Sequence, residues 1–349
     1  MEGDKIRRIA GLDTLRFIAA IWVVFGHCGY FPLTEGLDRT NKFALVVQGV
    51  YGNLFASVPA VIVFFVISGF CIHYPHRDQL QIQFAPFFTR RYLRIGIPLL
   101  VAIPISNLAN VNLVLFENSI LWSLTAELIY YTIYPLILLL RDRIGWTAVI
   151  MISYFAAYAA IATDVAALDY SPFSVKLKWL IALPCWLIGC RLAEIDFDRI
   201  VRRVGIREVW SWRLTIWFAS WLCSVLRFHS PVGYPWTLNV FAILVFFWLQ
   251  AEIYYSREHG CSELLEWAGR WSYSLYLTHL ISSTFYSMIP TPNLGHNLNW
   301  IVRMLFILGF AYLFYMFVER PSHLLARKMA EWCGNGNIKG VVRPSQAST

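Results

Sequence analysis

Polar and charged residues interrupt this chain only in short stretches. Apolar windows of about 20 residues, the length needed to cross a hydrocarbon core, recur ten times, at about 10–31, 50–73, 95–116, 119–140, 146–163, 176–193, 212–228, 236–255, 271–290 and 299–319. The pattern predicts an all-α integral membrane protein with about ten transmembrane helices. The segments between windows orient it. Most of the 29 Lys+Arg fall in alternate segments, those on the side of the N-terminal KIRR run and of the C-terminal tail, and positive segments stay inside. Both termini are therefore expected to be cytoplasmic.

No linker before the tail is long or polar enough for a soluble domain. Residues 1–321 read as one membrane domain and 322–349 as a tail, amphipathic through HLLARKMAEW and then disordered through a Gly/Asn/Ser-rich end. KIRR followed by an apolar run has the look of a secretory signal. No small-x-small cleavage site follows it, however, and Arg16 interrupts the apolar region, so it reads as a retained first span. Neither an internal repeat nor the inverted repeat of many transporters is visible.

Composition agrees with this reading. Hydrophobic residues make up 58% of the chain and charged ones 14%, against about 25% charged in a soluble domain. The net charge of +8 is accounted for by the positive-inside bias and anionic membrane lipid, without a nucleic-acid partner. Seven cysteines are scattered without a CxxC or a Cys/His cluster of zinc spacing, so neither a disulfide scaffold nor a metal site is expected.

Against that apolar background a few ionisable residues stand out. The first window, GLDTLRFIAAIWVVFGHCGYFP, contains Arg16 and His27, and ionisable groups at membrane depth face a bundle interior or a watery cavity. Their spacing places them on nearly one helix face, roughly 16 Å apart along the axis. Asp13, three residues before Arg16, is placed for a local ion pair. Imidazole suits general-base work near neutrality, and Glu127, at compatible depth in the fourth window, is the carboxylate expected to orient His27. Arg91 and Arg94, in the loop FFTRRYLRIGIP, form a fork for phosphate if that loop is helical; the positive-inside rule alone also accounts for arginines there. Ser68 and Gly69 are small residues suited to close helix approach. Ser123 and His279 are further candidates for lining the cavity or supporting the packing, and Glu319 reads as an interfacial ion pair beside Arg320, before a helix-stopping proline.

Taken in order, GLDTLRFIAAIWVVFGH, FFVISGF, TRRYLRI, LWSLTAELIYY, YSLYLTH and FVERP resemble the segments of the membrane-bound acyltransferase 3 family. These are bacterial O-acyltransferases, among them O-antigen, exopolysaccharide and Nod-factor acetyltransferases. The resemblance implies about ten membrane helices in the bacterial cytoplasmic membrane. It also implies transfer of an acyl group, usually acetyl, from acyl-CoA, a co-substrate rather than a bound cofactor, to a sugar hydroxyl of a surface or lipid-linked glycan. By the same resemblance His27 is the base or acyl-handling residue, Arg16 a donor-binding or structural partner, and Arg91 and Arg94 the donor-side pair for the phosphates of acetyl-CoA. Two departures stand: Leu128 replaces the second acid that often follows Glu127, and the esterase-like extracytoplasmic domain of some relatives is missing from these residues. A transporter of acyl groups or glycan intermediates, using the buried Arg and His as a relay, is the alternative reading.

Overall fold

The computed structural model describes all residues except 1–8, 35–36, 38–39, 80–81, 114–120, 201, 291–294 and 335–349. The KIRR run and the expected disordered end of the tail lie outside the described residues. Among the described residues the chain is helical throughout, without strands. The helices are α1 (Leu12–Cys28), α2 (Lys42–Gly52), α3 (Ser57–His73), α4 (Phe84–Leu108), α5 (Trp122–Ile161), α6 (Val175–Ala193), α7 (Ile206–His229), α8 (Tyr234–His259), α9 (Glu263–Gly269), α10 (Ser272–Met288), α11 (Gly295–Phe314) and α12 (Arg320–Gly334).

Every apolar window falls on a helix. The fourth and fifth share α5, which breaks at Gly145, where φ is 79°; that left-handed conformation is open to glycine at little cost. Among the described residues, four stretches are long and apolar enough by themselves to cross a membrane: Lys42–His76, Trp122–Asp164, Tyr234–His259 and Gly295–Gly334. Large apolar side chains also face outward along the helices, Leu100 at 71% exposure and Phe155 at 78%. An apolar exterior of this kind belongs to a membrane protein.

Helix α3 is the centre of the bundle. It packs on α1, α6 and α8, and α6 packs in turn on α5 and α8. The crossing of α3 with α6 is close because glycines meet backbone on both sides. A Cβ on Gly69 would lie 2.0 Å from the Trp186 carbonyl oxygen, and one on Gly189 would lie 2.0 Å from that of Val66. Small residues are what allow such an approach between apolar helices. A polar clasp holds one end of this core. Glu194 accepts from His73 Nε2 (2.8 Å), Arg141 Nη1 (3.2 Å) and Trp146 Nε1 (2.6 Å), so residues on either side of the Gly145 break are tied to α3 and α6.

Two boundaries differ from the expected ones. Helix α4 starts well before the third window, so Arg90, Arg91 and Arg94 sit within a helix rather than in a loop. Pro321 does not stop the last helix. The chain passes through a π-helical turn, Tyr315–Glu319, straight into α12. The wider turn and the position of Pro321 at the start of α12 accommodate its missing N–H. Helix α12 then packs along α4, carrying the first part of the expected tail back onto the bundle.

Candidate active site

A cavity of about 460 Å3 opens where the start of α1, the first half of α4 and the junction of α11 with α12 meet. Eight of the residues singled out in the sequence line it: Asp13, Arg16, Ser68, Arg91, Arg94, Ser123, Glu127 and Glu319. The start of α1 is fixed there by a carboxylate from α9. Glu266 Oε1 accepts from the backbone N–H of Gly11 (3.1 Å) and Thr14 (2.9 Å) and from the Thr14 hydroxyl (2.8 Å), which satisfies donors the first turn leaves open. Close packing helps: a Cβ on Gly269 would lie 2.0 Å from the Asp13 carbonyl oxygen. The expected pair forms, with Arg16 Nη1 donating to Asp13 Oδ1 at 2.8 Å.

Arg91 and Arg94 line the same cavity but are held differently. Arg94 Nε donates to His323 Nε2 on α12 at 3.0 Å. Arg91 rests over the Phe87 ring at 5.8 Å, and its buried Nε has no hydrogen-bond partner. Arg90 is exposed and outside the lining. Arg270 adds a further guanidinium, and Tyr131 and His323 further polar groups, none of which the sequence reading picked out. Tyr131 could have been found from its place four residues after Glu127 on one helix face; Arg270 and His323 become neighbours only through the packing of α9 and α12.

Glu127 does not meet His27. Its Oε1 accepts from the Ser68 hydroxyl at 2.5 Å and from the Tyr131 hydroxyl, and Ser68 also accepts from Trp186 Nε1 at 3.3 Å. The depth estimate was compatible, but α3 packs on α1 and on α5, and Glu127 spends its bonds on α3 and on its own helix. Ser68 is therefore a cavity hydroxyl, and the close packing rests on Gly69. Glu319 also departs from expectation. It is fully buried, and Oε2 accepts from the backbone N–H (3.1 Å) and hydroxyl (2.5 Å) of Ser274, while His323 Nε2 lies 3.4 Å from Oε1. Its partners are Ser274 of α10 and His323 of α12, not the adjacent Arg320.

His27 pairs instead with His279. The rings stack at 5.1 Å with 12° between planes, and His27 Nδ1 lies 2.9 Å from His279 Nε2. The tautomers follow from one further contact. His279 Nδ1 lies 2.7 Å from the Tyr276 carbonyl oxygen, and a carbonyl only accepts, so Nδ1 carries the proton and Nε2 offers a lone pair. His27 must then donate from Nδ1. Its Nε2 is left unprotonated and without a partner among the described residues, and the side chain is accessible while His279 is fully buried. Neither histidine lines the cavity. Tyr276 stands between: its side chain faces the cavity, with its hydroxyl 2.6 Å from that of Ser123, and its carbonyl accepts from His279.

The comparison with known proteins settles the family. Residues 9–319 match the acyltransferase 3 family, described as an acyltransferase domain. The chain belongs to that family. It is also similar to nodulation protein 10 of Rhizobium leguminosarum bv. viciae, at 24% identity over 91% of this chain and 95% of the relative. No solved structure matches. With its apolar exterior and this family, the chain is a membrane acyltransferase.

Proposed function

We propose that this acyltransferase moves an acetyl group from acetyl-CoA to a hydroxyl of a surface or lipid-linked glycan, in the cytoplasmic membrane, with about ten spans and both termini inside. In that orientation the arginine-lined cavity opens to the cytoplasm, where acyl-CoA is found. The observation that carries the reading is the chain Tyr276 carbonyl, His279, His27: it starts at a residue of the cavity wall, passes through His279 one helical turn further along α10, and ends in a basic nitrogen near the end of α1.

The phosphates of the donor bind Arg91, Arg94 and Arg270. Arg91 has donors to spare, and guanidinium forks suit phosphate. The pantetheine arm extends past Arg16 toward Tyr276 and Ser123, whose side chains swing apart to pass the thioester. His27 Nε2 then takes the proton of the sugar hydroxyl as its oxygen attacks the thioester carbonyl. The C–S bond breaks, the thiolate of coenzyme A leaves, and the proton on His27 neutralises it. His279 holds His27 in the required tautomer, the role a carboxylate has in other triads. The hydroxyls of Ser123 and Tyr276, once apart, are the donors that would stabilise the oxyanion.

The test is release of free thiol from acetyl-CoA by the protein in proteoliposomes, with and without glycan extracted from a deletion strain of the host. Glycan-dependent thiol release with acetyl recovered on the glycan is the expected result. Movement of acyl groups or glycan across the vesicle without a covalent product would instead support the transporter alternative and overturn the transfer reaction.

A further inference from the structure

A second cavity, of about 380 Å3, lies at the opposite end of the bundle, within the size range of small-molecule sites. It shares α1, α3 and α5 with the first, and its other walls come from α2, α6, α7 and α8. Gly26 of α1 and Ser57 of α3 line the second, whereas Arg16 and Ser68, further along those helices, line the first. The first turn of α5 divides them, with Trp122 facing the second cavity and its neighbour Ser123 the first. Trp122 is held edge-on by Phe65 (5.8 Å between centroids) and stacked on Tyr170 (4.9 Å, 17°). Gly26 immediately precedes His27 and is pressed against the start of α3: a Cβ there would lie 2.7 Å from the Phe55 carbonyl oxygen. The turn that carries His27 is thus also a wall of the second cavity.

The polar groups of this cavity are only partly satisfied by the protein. Asp169 accepts from Arg227 Nη2 at 2.9 Å and from the Ser171 backbone N–H at 2.8 Å. The Ser171 hydroxyl donates to it as well. Burial pushes the Asp169 carboxyl up, but these partners outweigh it and hold the group below its ordinary value, so it is an anion. Two buried donors, Arg227 Nε and the Tyr170 hydroxyl, have no partner, and Tyr170 is only 4% exposed. Buried polar groups are almost always paired, so an orphan beside a cavity points to a missing ligand. A stacked aromatic pair, a carboxylate and unfilled N–H and O–H donors are the groups that bind a sugar ring: the aromatic face meets its C–H bonds, and the polar atoms meet adjacent hydroxyls.

We propose that this second cavity is the acceptor site and holds one sugar unit of the glycan, so that donor and acceptor enter from opposite ends and meet at the His27 turn. The assignment rests on the reading of a sugar hydroxyl as acceptor. Its test is binding of p-nitrophenyl glycosides (glucoside, galactoside, mannoside and N-acetylglucosaminide) to the full-length protein in nanodiscs, with coenzyme A as the ligand of the other cavity. The wild type should bind at least one glycoside. Tyr170→Phe, which keeps the ring on Trp122, and Arg227→Gln should each weaken it about fivefold or more, the effect of one lost hydrogen bond, and leave coenzyme A affinity unchanged. Retained coenzyme A binding also shows that the variants are folded, and if Arg227→Gln loses both ligands, Tyr170→Phe decides. Glycoside binding indifferent to Tyr170→Phe, or no glycoside binding by a protein that binds coenzyme A, overturns the proposal. A wild type that binds glycoside in a Tyr170-dependent way but not coenzyme A would fault the donor reading and leave the acceptor site standing.

Discussion

At the residue scale the proposed transfer depends on the orientation of His27. If His279 acts by accepting the His27 Nδ1 proton and passing its own to the Tyr276 carbonyl, an amide side chain can do both. His279→Leu is expected to lower kcat about 100-fold, within the usual worth of a positioned base, with KM for acyl-CoA unchanged. His279→Gln should recover most of that loss. Equal loss in both variants would assign His279 to packing alone. Arg91 and Arg94 are expected to separate as well. Arg91→Ala should raise KM for acyl-CoA about 10-fold or more, the worth of a charge-assisted bond, and leave thermal stability unchanged. Arg94→Ala should raise KM and also lower the melting temperature, because Arg94 holds His323 of α12. Local spacing made the Asp13–Arg16 pair legible, and it put Arg91 and Arg94 at one cavity wall, since each pair lies within one helical turn. The histidine pair was not legible. Its members are 252 residues apart, and nothing in either segment tells which helix lies beside α1.

Among the elements, the α3/α6 crossing is the most exacting contact. Gly69→Val places carbon atoms where the Trp186 carbonyl already sits and must push the helices apart, a cost of about 1–3 kcal/mol or more by analogy with overpacked cores. The expected outcome is a lower melting temperature and less monodisperse protein in detergent. Gly96→Ala, where nothing lies within 4 Å of the added Cβ, is the matched control and should be neutral or slightly stabilising. Helix positions were readable from apolar windows because membrane helices need an almost unbroken run of such residues. Helix ends were less so. Helix α4 carries its arginines into the bundle because one face of them lines a water-accessible cavity, and a hydropathy window counts charge without regard to face.

For the whole molecule, the distribution of Lys and Arg predicts that reporter fusions at both termini are cytoplasmic, and that alkaline phosphatase fused within residues 165–174 is active outside. Those residues include Asp169 and Tyr170 of the second cavity, so phosphatase activity there also places that cavity on the outer face. An inactive fusion would reverse the assignment of donor and acceptor ends. The acyltransferase family was legible in the order of the segments from GLDTLRF to FVERP, which the match over residues 9–319 bears out. The division into two cavities was not, because it depends on Trp122 and Ser123, adjacent residues that face opposite compartments. In the proposed mechanism His27 drives transfer of an acyl group to a glycan hydroxyl. Its most direct test is the O-acetyl content of the host's surface glycan, by mass spectrometry, in a deletion strain complemented with wild type or with His27→Ala at matched expression. Acetyl restored by the wild type and absent with His27→Ala is the predicted result; acetylation restored equally by both would contradict it.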